Sequence, residues 1–453
     1  MKRMEKIAPL QEEMLENLSR LIDINSVEGE PLPGKPFGEG PARALHEALT
    51  IAEDIGFRTC NMENYCGWAE MGQGKDLIGL CAHLDVVPAG EGWDSDPYHM
   101  ERRGDKIYGR GVSDDKGAVI ASLYAMKLIQ DMKIPMHKRV RLIMGCNEET
   151  GSRCMKYYAQ HGERVTAGFT PDGNFPGIHG EKGSCHMLAR SRKTSILSMN
   201  GGFVSNAVCS RCETRVLESA VSVSELEKAL QNSPLTDFTL TETDGVLTIA
   251  AKGTAAHAST PLLGVNAAGW TMKALKDAGM QDDFVDFYNE KIGVLCDGAG
   301  IGCKVEDKYG ALTLNNGIVK TEDGVISCTI DIRYPVTLNP DKLRALAEGN
   351  LCNEKGSITI ESIGEPLFYP EDSALVQKLL KAYQEVTGDM AHLPEVIGGG
   401  TYAKSVPGII AFGCEFPGDE NHIHDANESL PIKDLLMQVD IYVQAILNLL
   451  EEE

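Results

Sequence analysis

The stretch 76–85, DLIGLCAHLD, indicates what kind of fold this chain adopts. Its first part, 76–82, is a nearly continuous apolar run, which is typical of a parallel strand buried on both faces of a sheet. His83 and Asp85 follow directly where that strand would end. In open α/β sheets, ligands bind beyond the carboxyl ends of the strands. The stretch therefore predicts an α/β domain with a polar site at one edge of its sheet.

The same arrangement recurs along the chain. Glu148 and Glu149 follow the predicted strand 140–145, Asp172 ends the predicted strand 167–172, and His422 and His424 follow the predicted strand 408–412. Asp114 and Asp115 lie in the glycine-rich loop GRGVSDDKG before a predicted helix, 117–129. Taken singly, a histidine is more often packed or on the surface, and paired aspartates more often form a turn or a helix cap. Four apolar strands that each lead into ligand-type residues instead favour a metal site. Two histidines with three carboxylates suit a pair of divalent ions that share one bridging carboxylate.

The charge, the apolar segments and the cysteine count of the chain disfavour several classes of protein. The formal charge of −23, from 43 basic and 66 acidic residues, argues against nucleic acid as a partner. The basic N-terminus develops no apolar signal segment; Leu10, Met14, Leu18, Leu21 and Ile22 instead have the spacing of an amphipathic helix. No segment reaches the apolar length of a membrane span. Thirteen cysteines in a chain without a signal peptide fit reduced thiols, so we expect a cytoplasmic protein.

The alternating strand–helix pattern of the sequence stops near residue 183 and resumes near residue 366. Between these points, Asp244-Gly245 and Asp323-Gly324 are hairpin signals, and helical patterns lie at 223–231, 264–277 and 340–350. After 366 the α/β pattern resumes with predicted helices 372–386 and 431–450. We therefore expect a catalytic α/β domain with a mostly parallel sheet, 1–182 and 366–453, interrupted by an α+β lid domain, 183–365.

Six ordered motifs carry a resemblance to a known family. They are HLDVVPAGEGW, GRGVSDDKG, NEETGS, PDGNFP, AHASTPLLGVNAA and GGGTYAKSVPG. The chain resembles the di-zinc exopeptidase and deacylase superfamily, which includes aminoacylase, glutamate carboxypeptidase, succinyl-diaminopimelate desuccinylase and carnosinase. It is most similar to the bacterial peptidase V-type dipeptidases in length and in GGGTYA.

The resemblance implies roles for the polar residues at the strand ends. One metal would be held by His83 and Asp172 and the other by Glu149 and His424, with Asp114 bridging both; a cis peptide bond between Asp114 and Asp115 is also implied. The pattern favours Asp114 over Asp115 and His424 over His422. Glu148 would be the general base that takes a proton from the attacking water and delivers it to the leaving amine. Asp85 would accept the other N–H of the His83 ring.

The lid would contribute further residues. By resemblance, His257 in GTAAHAST stabilises the oxyanion, and Asn206 in GGFVSNAV is a second donor to the same oxygen. Arg333 in DIRYP would bind a substrate carboxylate, which the backbone at Gly400 and Thr401 would also approach. A lone histidine in such a domain is more often structural, and an arginine on a strand can simply be a surface residue. The chain departs from the family pattern at Cys209, where proline is usual, and at Lys404, where arginine is common.

The resemblance implies a metal-dependent dipeptidase, a zinc metallopeptidase that hydrolyses short peptides with free ends. The alternative is an N-acyl-amino-acid deacylase of the same superfamily, because both reactions cleave an amide by the same attack. A catalytically dead peptide-binding relative is disfavoured by the intact Glu148 and the full ligand set. We expect two divalent ions, zinc first and manganese or cobalt as alternatives, and a monomer, with a homodimer as the alternative; nucleic acid and membrane are not expected partners.

Overall fold

The computed structural model describes residues 3–451 and divides into two compact units. Unit 1 consists of the described residues up to Gly180, Tyr369–Val396 and those from Gly400 onward; unit 2 consists of Glu181–Phe368 and Ile397–Gly399. These bounds differ from the predicted ones at 181–182, 366–368 and 397–399. The last difference arises because Ile397 and Gly398 bond to unit 2: the Lys182 N–H donates to the Ile397 carbonyl (2.9 Å), and Arg333 Nη1 donates to the Gly398 carbonyl (3.3 Å).

Unit 1 begins with helices and then builds most of its sheet. Its first segment contains α1 Met4–Ile7, α2 Gln11–Ile22, α3 Glu39–Ile55, β1 Arg58–Met62, β2 Cys66–Gly72, β3 Leu77–His83, β4 Glu101–Arg103, β5 Lys106–Tyr108, α4 Lys116–Asp131, β6 Arg139–Gly145, α5 Arg153–His161, β7 Ala167–Thr170 and β8 Ile178–Glu181. The predicted N-terminal amphipathic helix is confirmed, since Met14, Leu18, Leu21 and Ile22 of α2 are all buried.

Unit 2 is an α+β assembly, as expected. Its elements are β9 Gly183–Ser191, β10 Ile196–Gly201, β11 Arg211–Leu217, α6 Val223–Gln231, β12 Asp237–Thr243, β13 Val246–Lys252, α7 Ala267–Asp277, α8 Asp283–Lys291, β14 Glu306–Asp307, β15 Gly310–Ala311, β16 Thr313–Glu322, β17 Val325–Tyr334, α9 Pro340–Ala347, β18 Gly356–Gly364 and β19 Leu367–Phe368. Eight strands form an antiparallel sheet in the order β12-β13-β11-β10-β16-β17-β9-β18. Both predicted hairpins are confirmed: Asp244-Gly245 joins β12 to β13, and Asp323-Gly324 joins β16 to β17.

The final segment completes the sheet of unit 1. It contains α10 Ala374–Thr387, β20 Glu395–Ile397, β21 Ile409–Ala411, β22 Ser429–Pro431 and α11 Ile432–Leu450. The sheet runs β1-β2-β6-β3-β7-β21-β8. Its central pairs β6/β3, β3/β7 and β7/β21 are parallel, whereas the strands on either side are antiparallel. The α/β prediction is confirmed, and the parallel strands form the middle of a mixed sheet.

The parallel strands are buried because helices cover them. Every residue of β3 is buried, as its apolar run predicts. The helices α4 and α11 pack on each other and on β3. Most of both helices is apolar and buried, so their packing fixes the central strands and the loops that follow them. Within residues 3–451, no helix is both long enough and apolar enough to cross a membrane.

Candidate metal centre

Four central strands of unit 1 lead into the predicted ligands. His83 is the last residue of β3, Glu148 and Glu149 follow β6, Asp172 follows β7, and His424 lies in the loop after β21. Parallel strands carry their carboxyl ends to the same edge of a sheet, so these side chains are delivered to one place. The structure brings them together as the sequence pattern implies.

The distances show one cluster of imidazoles and carboxylates. His83 Nε2 lies 2.8 Å from Asp114 Oδ1 and 4.0 Å from Asp172 Oδ2. On the other side of Asp114, His424 Nε2 lies 2.9 Å from Asp114 Oδ2 and 3.2 Å from Glu149 Oε2. Asp114 is therefore the carboxylate in the middle, with one oxygen facing each histidine.

Among the described residues, Asp115 and His422, the alternatives to Asp114 and His424, take no part in these imidazole–carboxylate contacts. Asp115 is fully buried as the N-cap residue of α4, and its Oδ2 accepts the His83 backbone N–H (3.0 Å). The peptide bond between Asp114 and Asp115 is cis. His422 is exposed and lies in no ion pair within the described residues.

The predicted contact of Asp85 is wrong in its details. His83 Nδ1 donates to the backbone carbonyl of Asp85 (2.9 Å), whereas the carboxylate oxygen lies 3.7 Å away. The Asp85 carboxylate instead accepts the backbone N–H groups of Glu148 (3.0 Å) and Glu149 (3.1 Å). These N–H groups lie beyond the end of β6, where no ladder partner exists, so the carboxylate satisfies them. Asp85 thus fixes the Glu148–Glu149 backbone, and its own carbonyl sets the His83 tautomer.

Glu148 lies beside His83 and Asp172 in the cluster. It forms with His83 and Asp172 a group whose ligand-type atoms all lie within 4.8 Å of one another; His83, Asp114 and Glu149 form a second such group. Burial, and then the nearby charge of Asp172, raise the pKa of Glu148 well above its usual value. A carboxyl group in such surroundings is suited to accept a proton near neutral pH.

The donor set fits divalent metal ions. With Nδ1 of His83 donating to a carbonyl, its Nε2 lone pair points toward the carboxylate oxygens of Asp114. Acceptor atoms this close repel each other unless a proton or a cation lies between them. Hydrogen bonds to Asp114 and Glu149 raise the pKa of His424 to about 11, which reflects the same local excess of negative charge. Within residues 3–451, neither Asp114 nor Glu149 forms an ion pair with a lysine or arginine. The cluster is therefore a candidate metal site.

Glu428 and its partner Arg110, which hold the loop of Asp114, were not identified from the sequence. Glu428 is fully buried and accepts hydrogen bonds from Arg110 Nη1 (2.8 Å) and from the backbone N–H groups of Gly111 (3.0 Å), Ser113 (2.9 Å) and Asp114 (3.1 Å). This carboxylate therefore holds the loop that presents Asp114. The signal in the sequence is its place at the end of HDANE, four residues after His424.

Tyr402 of the GGGTYA motif is a further contact of the cluster. Its ring meets the His83 ring edge-to-face, with centroids 6.2 Å apart, and its hydroxyl lies 3.0 Å from Cys154 Sγ. A Cβ on Gly145, the last residue of β6, would lie 2.0 Å from that hydroxyl. The motif therefore packs under the end of β6, just before the two glutamates.

The predicted lid residues Asn206, His257 and Arg333 form a group of their own in unit 2. Ala207 pairs with His257 in an isolated bridge, and the Ala258 N–H donates to the Asn206 carbonyl (2.8 Å). Thr313, the partner of Arg333 in the β16–β17 ladder, donates its hydroxyl to the Ala258 carbonyl (3.2 Å). The three predicted residues are thus brought together by backbone pairing.

The contacts of these residues limit what they can bind. Arg333 donates Nε and Nη2 to the two oxygens of the fully buried Asp331 (2.8 and 3.0 Å), and Nη1 to the Gly398 carbonyl. A guanidinium has five N–H donors, so two remain for a substrate. His257 is exposed, and its Nδ1 lies 2.7 Å from Ser259 Oγ. Gly398 lies so close to Ser259 that a Cβ would be 2.3 Å from that side chain.

Gly400 and Thr401 belong to unit 1. Gly400 is exposed, while Thr401 is buried and its hydroxyl accepts the Ala403 N–H (3.1 Å) at the start of the short 3-10 helix Tyr402–Lys404. The backbone at Gly400 is consequently the more accessible of the two.

The chain matches a known protein family over most of its length. The profile of "Peptidase family M20/M25/M40" matches residues 79–448. A Bacillus subtilis (strain 168) protein named "Putative dipeptidase YtjP" is 36% identical over 457 residues, which cover 97% of each chain. "Putative dipeptidase SH1171" of Staphylococcus haemolyticus (strain JCSC1435) is 33% identical, with 99% of each chain covered.

Among solved structures, human carnosine dipeptidase 1 superposes with a TM-score of 0.57 at 15% sequence identity, over 99% of this chain and 98% of that one. At this level of identity the likeness shows a shared fold. The family match and the full-length relatives go further: the chain belongs to the peptidase family M20/M25/M40 and is a metallopeptidase, a class of hydrolase.

Proposed function

We propose that this chain is a dipeptidase that hydrolyses the peptide bond of short peptides with free ends. The observation that carries the proposal is the cluster in unit 1, in which the half-buried Glu148 lies beside the candidate ligands His83 and Asp172, and His83 also groups with Asp114 and Glu149. The names of its full-length relatives, which are putative dipeptidases, support the substrate class.

The ligand set provides for two divalent ions. We assign His83 and Asp172 to one ion, Glu149 and His424 to the other, and Asp114 to both, since its two oxygens face the two histidines. Zinc suits this mixture of imidazole and carboxylate ligands, and manganese and cobalt are the alternatives. Bound ions would supply Lewis acidity and make a water molecule acidic enough to react near neutral pH.

The chain's own residues move the proton. Glu148 takes a proton from the attacking water at its carboxylate and later delivers it to the nitrogen of the leaving amine. The raised pKa of Glu148 favours its acting as both base and acid in one cycle. Asp85 holds the backbone at Glu148 and Glu149, so that the two neighbouring carboxylates keep different directions.

We assign the remaining predicted residues to the substrate. His257 and Asn206 would stabilise negative charge on the carbonyl oxygen, and Arg333 with the backbone at Gly400 and Thr401 would bind the C-terminal carboxylate. These roles rest on the resemblance, and for His257, Asn206 and Arg333 also on their grouping within unit 2. We also propose that unit 2 acts as a lid, that the protein is a monomer, and that it works in the cytoplasm.

A substrate panel tests the proposal against the deacylase alternative. Metal-stripped protein is reloaded separately with zinc, manganese and cobalt, and its activity is compared on free dipeptides, a β-alanyl dipeptide, a tripeptide, and N-acetyl and N-succinyl amino acids. We expect hydrolysis of the dipeptides. Cleavage of the N-acyl compounds in their place would make the chain a deacylase with the same catalytic residues.

A further inference from the structure

Unit 1 contains a cavity beside the candidate metal centre. Its volume is about 540 Å³, within the range of roughly 300–1,000 Å³ typical of small-molecule pockets. Three segments line it: residues 27–31 after α2, residues 85–88 after β3, and residues 149, 150 and 153 after β6. Two lining residues, Asp85 and Glu149, belong to the cluster described above. The cavity is therefore continuous with the loops that carry the candidate ligands.

The walls of this cavity are aliphatic on one side and acidic on another. Val27, Pro31, Val87 and Pro88 provide apolar surface. Glu28 is already engaged, since its carboxylate accepts hydrogen bonds from Arg153, from the Thr150 hydroxyl and from Asn147 Nδ2. These bonds fasten the segment 27–31 to the loop that carries Glu148 and Glu149.

Glu30 provides an unpaired negative charge at the same cavity. It lines the cavity and is exposed, and it forms no ion pair or hydrogen bond through its side chain within residues 3–451. Arg153 is the single cation in the lining, and Glu28 neutralises it. The uncompensated charge of the exposed lining is therefore the Glu30 carboxylate, which attracts positive charge and repels negative charge.

This charge decides which end of a peptide can occupy the cavity. A C-terminal carboxylate would be placed beside the unpaired Glu30 without a free cation in the lining, which is unfavourable. The N-terminal residue carries an ammonium group, which the Glu30 carboxylate attracts. The aliphatic walls can in turn bury its side chain.

We propose that the cavity is the subsite for the N-terminal residue of the substrate, and that Glu30 makes it favour a basic side chain over an acidic one. This inference rests on the proposed dipeptidase function. It adds a specificity-determining residue and a contact surface that lie outside the ligand set.

Two dipeptide series test the proposal on the metal-loaded protein. One series varies the N-terminal residue (Lys-Ala, Leu-Ala, Glu-Ala), and the other varies the C-terminal residue (Ala-Lys, Ala-Leu, Ala-Glu). We expect Glu30→Lys to lower the kcat/KM ratio of Lys-Ala to Glu-Ala by about two- to fivefold, with Glu30→Gln intermediate, since an exposed charge pair changes an affinity by up to about fivefold. The ratios within the C-terminal series should stay unchanged. Val27→Phe, which fills the aliphatic side, should lower kcat/KM for Leu-Ala relative to Gly-Ala.

The matched control is Glu16→Lys, a charge reversal at an exposed residue of α2 that forms no ion pair within the described residues. It should leave both series unaltered. If Glu16→Lys shifts the N-terminal series as much as Glu30→Lys does, or if Glu30→Lys shifts both series equally, the subsite is refuted. If the wild-type protein hydrolyses neither series, the proposed function fails and the subsite fails with it; if it hydrolyses both while the ratios ignore Glu30, only the subsite fails.

Discussion

Replacing Glu428 with glutamine removes a negative charge from a site where four donors converge. The carboxylate is fully buried and accepts hydrogen bonds from Arg110 and from the backbone N–H groups of Gly111, Ser113 and Asp114. Arg110 in turn donates to the carbonyls of Pro88 (3.5 Å) and Ala89 (3.3 Å). The pair thus joins the loop after His83, the loop that presents Asp114 and the segment that contains His424.

The size of the effect follows from burial. Glutamine keeps the shape but leaves the buried Arg110 guanidinium without a counter-charge, and breaking a buried ion pair in this way costs about 3–5 kcal/mol. The matched control is Glu163→Gln. Glu163 also pairs with two arginines, Arg139 and Arg141, but its side chain is 52% exposed, so we expect a loss of at most about 1 kcal/mol.

Urea unfolding of the metal-stripped proteins, followed by tryptophan fluorescence, measures the free energies of unfolding of Glu428→Gln and Glu163→Gln without a contribution from bound metal. A second assay measures metal affinity by competition with a chromophoric chelator. We expect Glu428→Gln to weaken binding by about 10–100-fold, the range typical of residues that hold metal ligands in place. In the double variant Glu428→Gln/Arg110→Met, stability should recover in part, because no buried charge is left unpaired, while metal affinity should stay low. Equal destabilisation by Glu428→Gln and Glu163→Gln would refute the reasoning.

Three further predictions concern the same centre. Glu148→Gln should keep its bound metal, measured by elemental analysis, and lose about 10²–10⁴-fold in kcat, since it removes the general base; normal turnover would end that assignment. Gly145→Ala should lower the free energy of unfolding by about 1–3 kcal/mol, because the new Cβ meets the Tyr402 hydroxyl. The double variant Gly145→Ala/Tyr402→Phe should recover part of this loss in the same urea assay. An unchanged urea midpoint for Gly145→Ala would contradict this packing. Chelation should lower the Tm and reloading should restore it, because bound metal at about 1,000 times its Kd adds roughly 4 kcal/mol; a Tm that is indifferent to the chelator would argue against a metal that binds only the folded chain.

Local sequence patterns predicted the elements that place the site. The continuous apolar run at 76–82 predicted a buried strand, and the structure has β3 at Leu77–His83. The helical pattern at 223–231 matches α6. These elements are readable because burial imposes a period on the sequence itself. The parallel strands then bring the residues after them to one edge, so the approach of His83, Glu149 and Asp172 follows from topology.

Contacts made by residues far apart in the sequence could not be predicted in this way. Arg110 and Glu428 are 318 positions apart, and neither sits in a periodic pattern that would reveal the other. The Asp85 contact failed for a different reason. The spacing of Asp85 after His83 suggested a hydrogen bond between its carboxylate and the imidazole. The carboxylate instead accepts hydrogen bonds from the backbone N–H groups of Glu148 and Glu149, beyond the end of β6. Hydrogen-bond competition of this kind depends on three-dimensional neighbours, which spacing does not encode.

We propose that the cluster in unit 1 holds two ions and that these ions are required to hydrolyse dipeptides. The most direct measurement titrates metal-stripped protein with zinc, manganese or cobalt and follows bound metal and dipeptide hydrolysis in the same samples. We predict that activity rises to its maximum as two ions bind per chain, and that Asp114→Asn, which alters the carboxylate between the two histidines, abolishes that stoichiometry together with activity. Full activity in the stripped protein, or a maximum reached with no metal bound at this cluster, would contradict the account.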